Sequence, residues 1–140
     1  MKLTDEFVSE ISVGQKWVDN TRRVMGFMAY DNDPTFDFER DWETATRDTL
    51  AYFPTTRAYL ALYDFSELRF ATVHLRYWGK HLETLAQFYS GHYAVVVSVR
   101  SFEQVIEMMN HHNNASITKA LTAGLFPSRE KAIAYLAQFT

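Results

Sequence analysis

The sequence predicts an α/β domain, with a mixed, mostly parallel sheet of about five strands and about four helices packed on it. Three observations carry this prediction. Apolar runs of strand length alternate with segments of helical periodicity, the order that builds parallel strands joined by crossover helices. The run Tyr93-Ala94-Val95-Val96-Val97-Ser98-Val99 shows no polar alternation, as expected of a strand covered on both faces. No internal repeat, low-complexity tract or Gly/Pro/Ser-rich linker divides the 140 residues, which suffice for one continuous core. Residues 1–140 are therefore expected to form a single domain.

The elements follow in order. Phe7, Ser9, Ile11 and Val13 face one way in a loosely alternating first strand. Gly14-Gln15 reads as a turn and Lys16-Trp17-Val18 as the return strand. Residues 23–30 form another apolar run, ended by Asp31-Asn32-Asp33-Pro34. A helix starts between Pro34 and Asp37, where proline suits the first position and acids the first turn. Its stripe is Phe38, Trp42, Ala45, Thr49 and Tyr52/Phe53, and Pro54 closes it. Residues 57–63 are a compact apolar run ending at Asp64, as a buried parallel strand does.

The next helix covers residues 72–89, with Leu75, Trp78, Leu82, Leu85 and Tyr89 inward. After the break at Gly91 comes the central strand. Ser101-Phe102-Glu103-Gln104 is a capping box, opening a helix that buries Phe102, Val105, Ile106 and Met109. Residues 115–126 fit either a helix or a final strand ending at Leu125-Phe126, and the alternation favours the strand. Ser128 caps a last helix with Ala132, Ile133, Leu136 and Phe139 inward.

Composition narrows the functions. There is no cysteine, which removes disulfides, thiolate nucleophiles and sulfur-ligated zinc. Residues 1–70 carry 8 basic and 13 acidic side chains, and residues 71–140 carry 6 and 4. Neither half has the basic stripe that a phosphate backbone demands, so no nucleic-acid partner is expected. The acidic start Met1-Lys2-Leu3-Thr4-Asp5-Glu6 is unlike a signal peptide, and no apolar run reaches the roughly 20 residues of a membrane helix. The expectation is a cytoplasmic protein without membrane insertion. With 11 Phe, 8 Tyr and 3 Trp, the core should be built on rings.

Three segments carry a family resemblance. Tyr59-Leu60-Ala61-Leu62-Tyr63-Asp64-Phe65-Ser66 is a hydrophobic strand ending in an Asp-x-Ser turn. Residues 93–100 form a central strand. Leu125-Phe126-Pro127-Ser128-Arg129-Glu130-Lys131-Ala132-Ile133-Ala134-Tyr135-Leu136 reads as a strand, a turn and an Ala-rich helix. Together they span about residues 57–137, and with the element order they resemble STAS domains and bacterial relatives of the anti-sigma-factor antagonists. The resemblance implies a STAS-like fold and a non-enzymatic module that regulates a partner protein. Partner-switching members of that family are phosphorylated on an Asp-Ser pair at the start of the helix after the Asp-x-Ser strand. The pair would fall at Thr72 and Val73, which do not match it, so Thr72 marks the switch position without the motif.

Site chemistry points first to the carboxyl ends of the strands, where open parallel sheets tend to bind ligands. Those ends supply Asp64 and Ser66 from one strand, and Ser98, Arg100 and Ser101 from its neighbour. A helix start at Ser101 could hold an anion, with Arg100 as a bidentate donor. The plainer reading has Ser101 capping, Asp64 bonded to its own turn and Arg100 solvated. His74 and His81 flank the apolar stripe of one helix as partly exposed side chains. Seven residues of helix span roughly 10 Å, too far for a shared metal without further ligands. Asp31, Asp33, Asp37 and Glu39 match no calcium loop and serve as helix-start charges. No Gly-x-Ser-x-Gly elbow, phosphate loop or dinucleotide fingerprint is present.

These residues favour a non-enzymatic regulatory or binding module with no cofactor and no metal. The partner is an unknown protein or a small molecule. One alternative is a carrier of a small, partly apolar ligand, with Asp64, Arg100 or His74 at the mouth of an enclosed pocket. A protein-interaction module should instead present an aromatic patch around Tyr77 and His81, or Met108. A third option is a small hydrolase built on Ser66 or Ser98 with a histidine. An unpaired sheet edge in the N-terminal hairpin would allow a homodimer.

Overall fold

A computed structural model describes residues 10–11, 14–19, 24–29, 38–67, 72–98, 103, 106–107 and 121–139. Among these, six strands form one sheet in sequential order: β1 (Glu10–Ile11), β2 (Gly14–Asp19), β3 (Val24–Ala29), β4 (Tyr59–Asp64), β5 (Gly91–Val96) and β6 (Leu121–Phe126). β1, β2 and β3 form an antiparallel meander, and β3 to β6 are parallel. Three helices accompany them: α1 (Phe38–Tyr52), α2 (Thr72–Leu85) and α3 (Arg129–Ala137).

The α/β class stands, and several details differ from expectation. Gly14 and Gln15 belong to β2 and pair with Met28 and Ala29, so they do not form a turn. α2 ends at Leu85, and the chain to Tyr89 winds on in turns, with Tyr89 N donating to the Leu85 carbonyl at 2.9 Å. Residues 121–126 are strand. The helix expected from Ser101 lies mostly outside the described residues; among those described, Glu103, Ile106 and Glu107 are helical.

Because β3 to β6 step in one direction, right-handed crossovers put α1 and α2 on the same face. The strand pleat then divides the core in two. Phe27, Tyr59, Ala61, Tyr63, Tyr93 and Val95 point toward α1 and α2, meeting Trp42, Trp78 and Leu85. Val24, Leu60, Leu62, Ala94 and Val96 point the other way, under Ala132 and Leu136 of α3. All six residues of β4 are buried, which explains its lack of alternation.

Local chemistry fixes the ends. Glu39 and Asp41 occupy the first turn of α1, where the dipole favours acids. The Tyr89 hydroxyl donates to the carbonyls of Phe53 at 2.6 Å and Thr49 at 3.2 Å, closing the other end of α1. Ser128 caps α3 by accepting from Lys131 N at 3.3 Å. Gly91 has φ +153°, and a Cβ there would lie 2.1 Å from the Tyr59 carbonyl oxygen. β5 can start beside β4 only as glycine.

Candidate functional site

The α1–α2 face of the sheet holds the most developed polar arrangement among the described residues. α1 carries Trp42, Thr46 and Leu50 one turn apart, and α2 carries Tyr77, His81 and Thr84 opposite them. His81 is 2% exposed, beneath Trp42 (ring centroids 5.0 Å apart) and beside Phe27 (5.6 Å). The expectation of a partly exposed, flanking His81 is corrected. His81 lies three residues after Trp78 and four before Leu85, on the buried stripe itself.

Both ring nitrogens of His81 are engaged. Nδ1 lies 2.7 Å from Thr46 Oγ1 and Nε2 lies 2.8 Å from the Tyr63 hydroxyl. Tyr63 in turn lies 2.5 Å from the Tyr59 hydroxyl. Proton counting orients this chain. In the arrangement that gives every proton an acceptor, the Thr46 hydroxyl donates to the Trp42 carbonyl at 2.8 Å and accepts from His81. A neutral His81 therefore carries its hydrogen on Nδ1, and Nε2 accepts from Tyr63 O–H, which accepts from Tyr59 O–H. Burial raises both phenols well above the ordinary tyrosine value and keeps them protonated.

Above this floor, an open groove of about 430 Å³ runs between the helices. Leu50 and Tyr77 are half-buried walls, with an edge of Trp42 behind them. The rims are charged: exposed Glu39, Glu43 and Arg47 on α1, and exposed Lys80 on α2. The Lys80 ammonium sits 5.3 Å from the Tyr77 ring centre, and the Arg76 guanidinium sits 5.8 Å from it.

The carboxyl ends of the strands look different. Asp64 is 4% exposed, and its Oδ1 accepts from Ser66 N at 3.0 Å and Ser66 Oγ at 2.6 Å. Its Oδ2 accepts from Arg129 Nε and Nη2 at 3.0 and 2.7 Å. Asp64 thus bonds its own turn and staples α3 to the sheet, and Ser66 gives its proton to Asp64. The order β3 to β6 never reverses, so these strands have no switch point of the kind that opens a ligand crevice. Ser98 is half-buried at the end of the β5 segment. Thr72 is the first residue of α2 and His74 lies in its first turn. The side chains of Thr72 and His74 lie outside the described residues, as do Arg100, Ser101, Met108 and the acidic residues 31–37. The structure therefore brings Asp64 and Ser66 together and adds Arg129 to them.

Sequence reasoning missed Arg129, Thr46, Tyr59 and Tyr63 as polar partners. Tyr59 and Tyr63 share a parity in β4, and that signal alone places both hydroxyls on one face. The pairing across 65 residues from Asp64 to Arg129 left no local trace.

At the opposite end of β5, His92 stacks on Phe139 with ring centroids 3.5 Å apart and shares a hydrogen bond with Thr122. Burial lowers its pKa from the ordinary histidine value. Phe139, expected inward, is 37% exposed and stacks here instead. Compared with known proteins, the chain matches no family model, no curated protein and no solved structure. No helix among the described residues is long and apolar enough to cross a membrane.

Proposed function

We propose that the chain is a non-enzymatic binding module that takes a small, partly apolar ligand in the groove between α1 and α2. The observation that carries this reading is the groove itself, an opening of about 430 Å³ with apolar walls and a rigid, hydrogen-bonded floor. Small-molecule sites occupy about 300–1,000 Å³ and combine apolar walls with a few fixed polar groups. Ten residues line the groove. A standard protein interface uses roughly 20–30 residues a side, so the groove matches a small ligand better than a protein partner.

Catalysis is disfavoured by the same geometry. A general base needs a free lone pair within reach of a nucleophile. His81 already accepts from Tyr63 and donates to Thr46, and Ser66 is bonded to Asp64. An aromatic-fragment titration followed by amide NMR tests the reading. Shifts concentrated at Thr46, Leu50, Tyr77 and Thr84 are expected. Shifts confined to β4, β5 and α3, or none at all, would contradict it.

The STAS-type regulatory reading keeps one specific support: Thr72, the position of the family's switch, is the first residue of α2. A phosphate there would meet the positive end of a helix dipole. On this reading the protein isolated from its own cells carries a phosphoryl group on the peptide containing Thr72. An unmodified peptide under all growth conditions removes it.

A further inference from the structure

We infer, resting on the groove reading above, that the ligand is an amino-acid-type zwitterion: an ammonium and a carboxylate on adjacent positions, with an apolar side chain. The floor is the first reason. With the Thr46 proton on Trp42 and the His81 Nδ1–H on Thr46, the Thr46 hydroxyl that lines the groove has only an acceptor lone pair left for a ligand. A ligand that reaches the floor must bring a donor.

The rims are the second reason. Arg47 follows Thr46 in α1 and Lys80 precedes His81 in α2, so the Thr46–His81 bond sets these two cations at the same level on opposite rims. Glu43 lies one turn away on the Arg47 rim, roughly 6 Å along the axis. None of Glu43, Arg47 and Lys80 is held in an ion pair among the described residues. The groove therefore has a cationic level at Arg47 and Lys80 and an anionic one at Glu43, with the Thr46 acceptor on the floor at the cationic end. An ammonium near Thr46 and Glu43, with its carboxylate toward Arg47 and Lys80, satisfies all three. Tyr77 and Leu50 then receive the apolar side chain. An anion alone would leave Glu43 and Thr46 unmatched, and a cation alone would face Arg47 and Lys80.

Calorimetry on the full chain with four matched probes tests this: L-phenylalanine, 3-phenylpropanoate, 2-phenylethylamine and 3-phenylpropanol. L-Phenylalanine is expected to bind about tenfold tighter than either singly charged probe, because it adds one charge-assisted contact to each. Arg47→Gln should reduce its advantage over the amine, and Glu43→Gln its advantage over the carboxylate. Both positions are exposed, so the fold should persist. Equal or tighter binding of a singly charged probe, or no binding of L-phenylalanine, overturns the inference. If 3-phenylpropanol still shifts the groove amides in that case, the groove reading stands alone; if no probe does, both fall.

Discussion

Tyr63 is the residue on which the polar core turns. In the arrangement that gives every proton an acceptor, it donates to His81 and accepts from Tyr59, whereas Tyr59 stands at the end of the chain and only donates. The two phenols should therefore differ sharply on losing a hydroxyl. Tyr63→Phe leaves Tyr59 O–H and His81 Nε2 both buried and unpaired, and should cost about 2–4 kcal/mol of stability. Tyr59→Phe leaves Tyr63 still bonded to His81 and should cost about 1 kcal/mol or less. Urea denaturation of the two variants measures this. Equal costs would mean that the chain does not run in this order. Trp78 is a contrast in the same core: its Nε1 is buried with no hydrogen-bond partner among the described residues, while its ring meets Phe65 edge-on at 4.8 Å.

At the scale of elements, two contacts decide how the sheet is dressed. Asp64 holds α3 through Arg129, a buried carboxylate against a guanidinium that is one-third exposed. A double-mutant cycle of Asp64→Asn and Arg129→Gln should show a coupling of about 1–3 kcal/mol. A coupling near zero would make α3 a helix held by its apolar packing alone. Gly91 does the corresponding work for the start of β5. Gly91→Ala must displace the backbone of β4 as well as strain its own φ, and should cost about 3 kcal/mol or more in thermal unfolding. A variant as stable as the parent would contradict the close approach of β4 and β5.

For the whole molecule, the buried tyrosines set the alkaline limit. Burial raises Tyr93 to about 12 and moves Tyr59 and Tyr63 upward as well. A phenol raised on folding contributes stability that is complete below its unfolded value of about 10 and is lost as pH rises through the folded one. Unfolding should thus set in across pH 10 to 12, with the phenolate signal of these three tyrosines and the loss of circular dichroism rising together. Phenolate forming at Tyr59, Tyr63 or Tyr93 well before structure is lost would show these hydroxyls to be accessible. His92 acts with the opposite sign. Its depressed value favours the neutral folded form, so its contribution is present above the unfolded histidine value and fades as pH falls below it.

The α/β class was legible in the sequence because β4 and β5 read as uninterrupted apolar runs and α1 and α2 as stripes. The separation of two core faces follows from the parity of Tyr59, Ala61 and Tyr63 against Leu60 and Leu62. The site was much less legible. Reading His81 as flanking hid it, and no local pattern announces that Thr46 of another helix meets it. Asp64 was recognised as special, but its partner depends on α3 folding back over β4, a long-range event that one sequence does not encode locally.

The proposed binding groove rests on a polar core in which both His81 nitrogens are engaged. Nitrogen NMR of the His81 ring at neutral pH tests that most directly. The geometry predicts a neutral ring with hydrogen on Nδ1 and an unprotonated, hydrogen-bonded Nε2. A ring with hydrogen on Nε2 would reverse the chain and free Nδ1 to take the Thr46 proton, and that result would contradict the account.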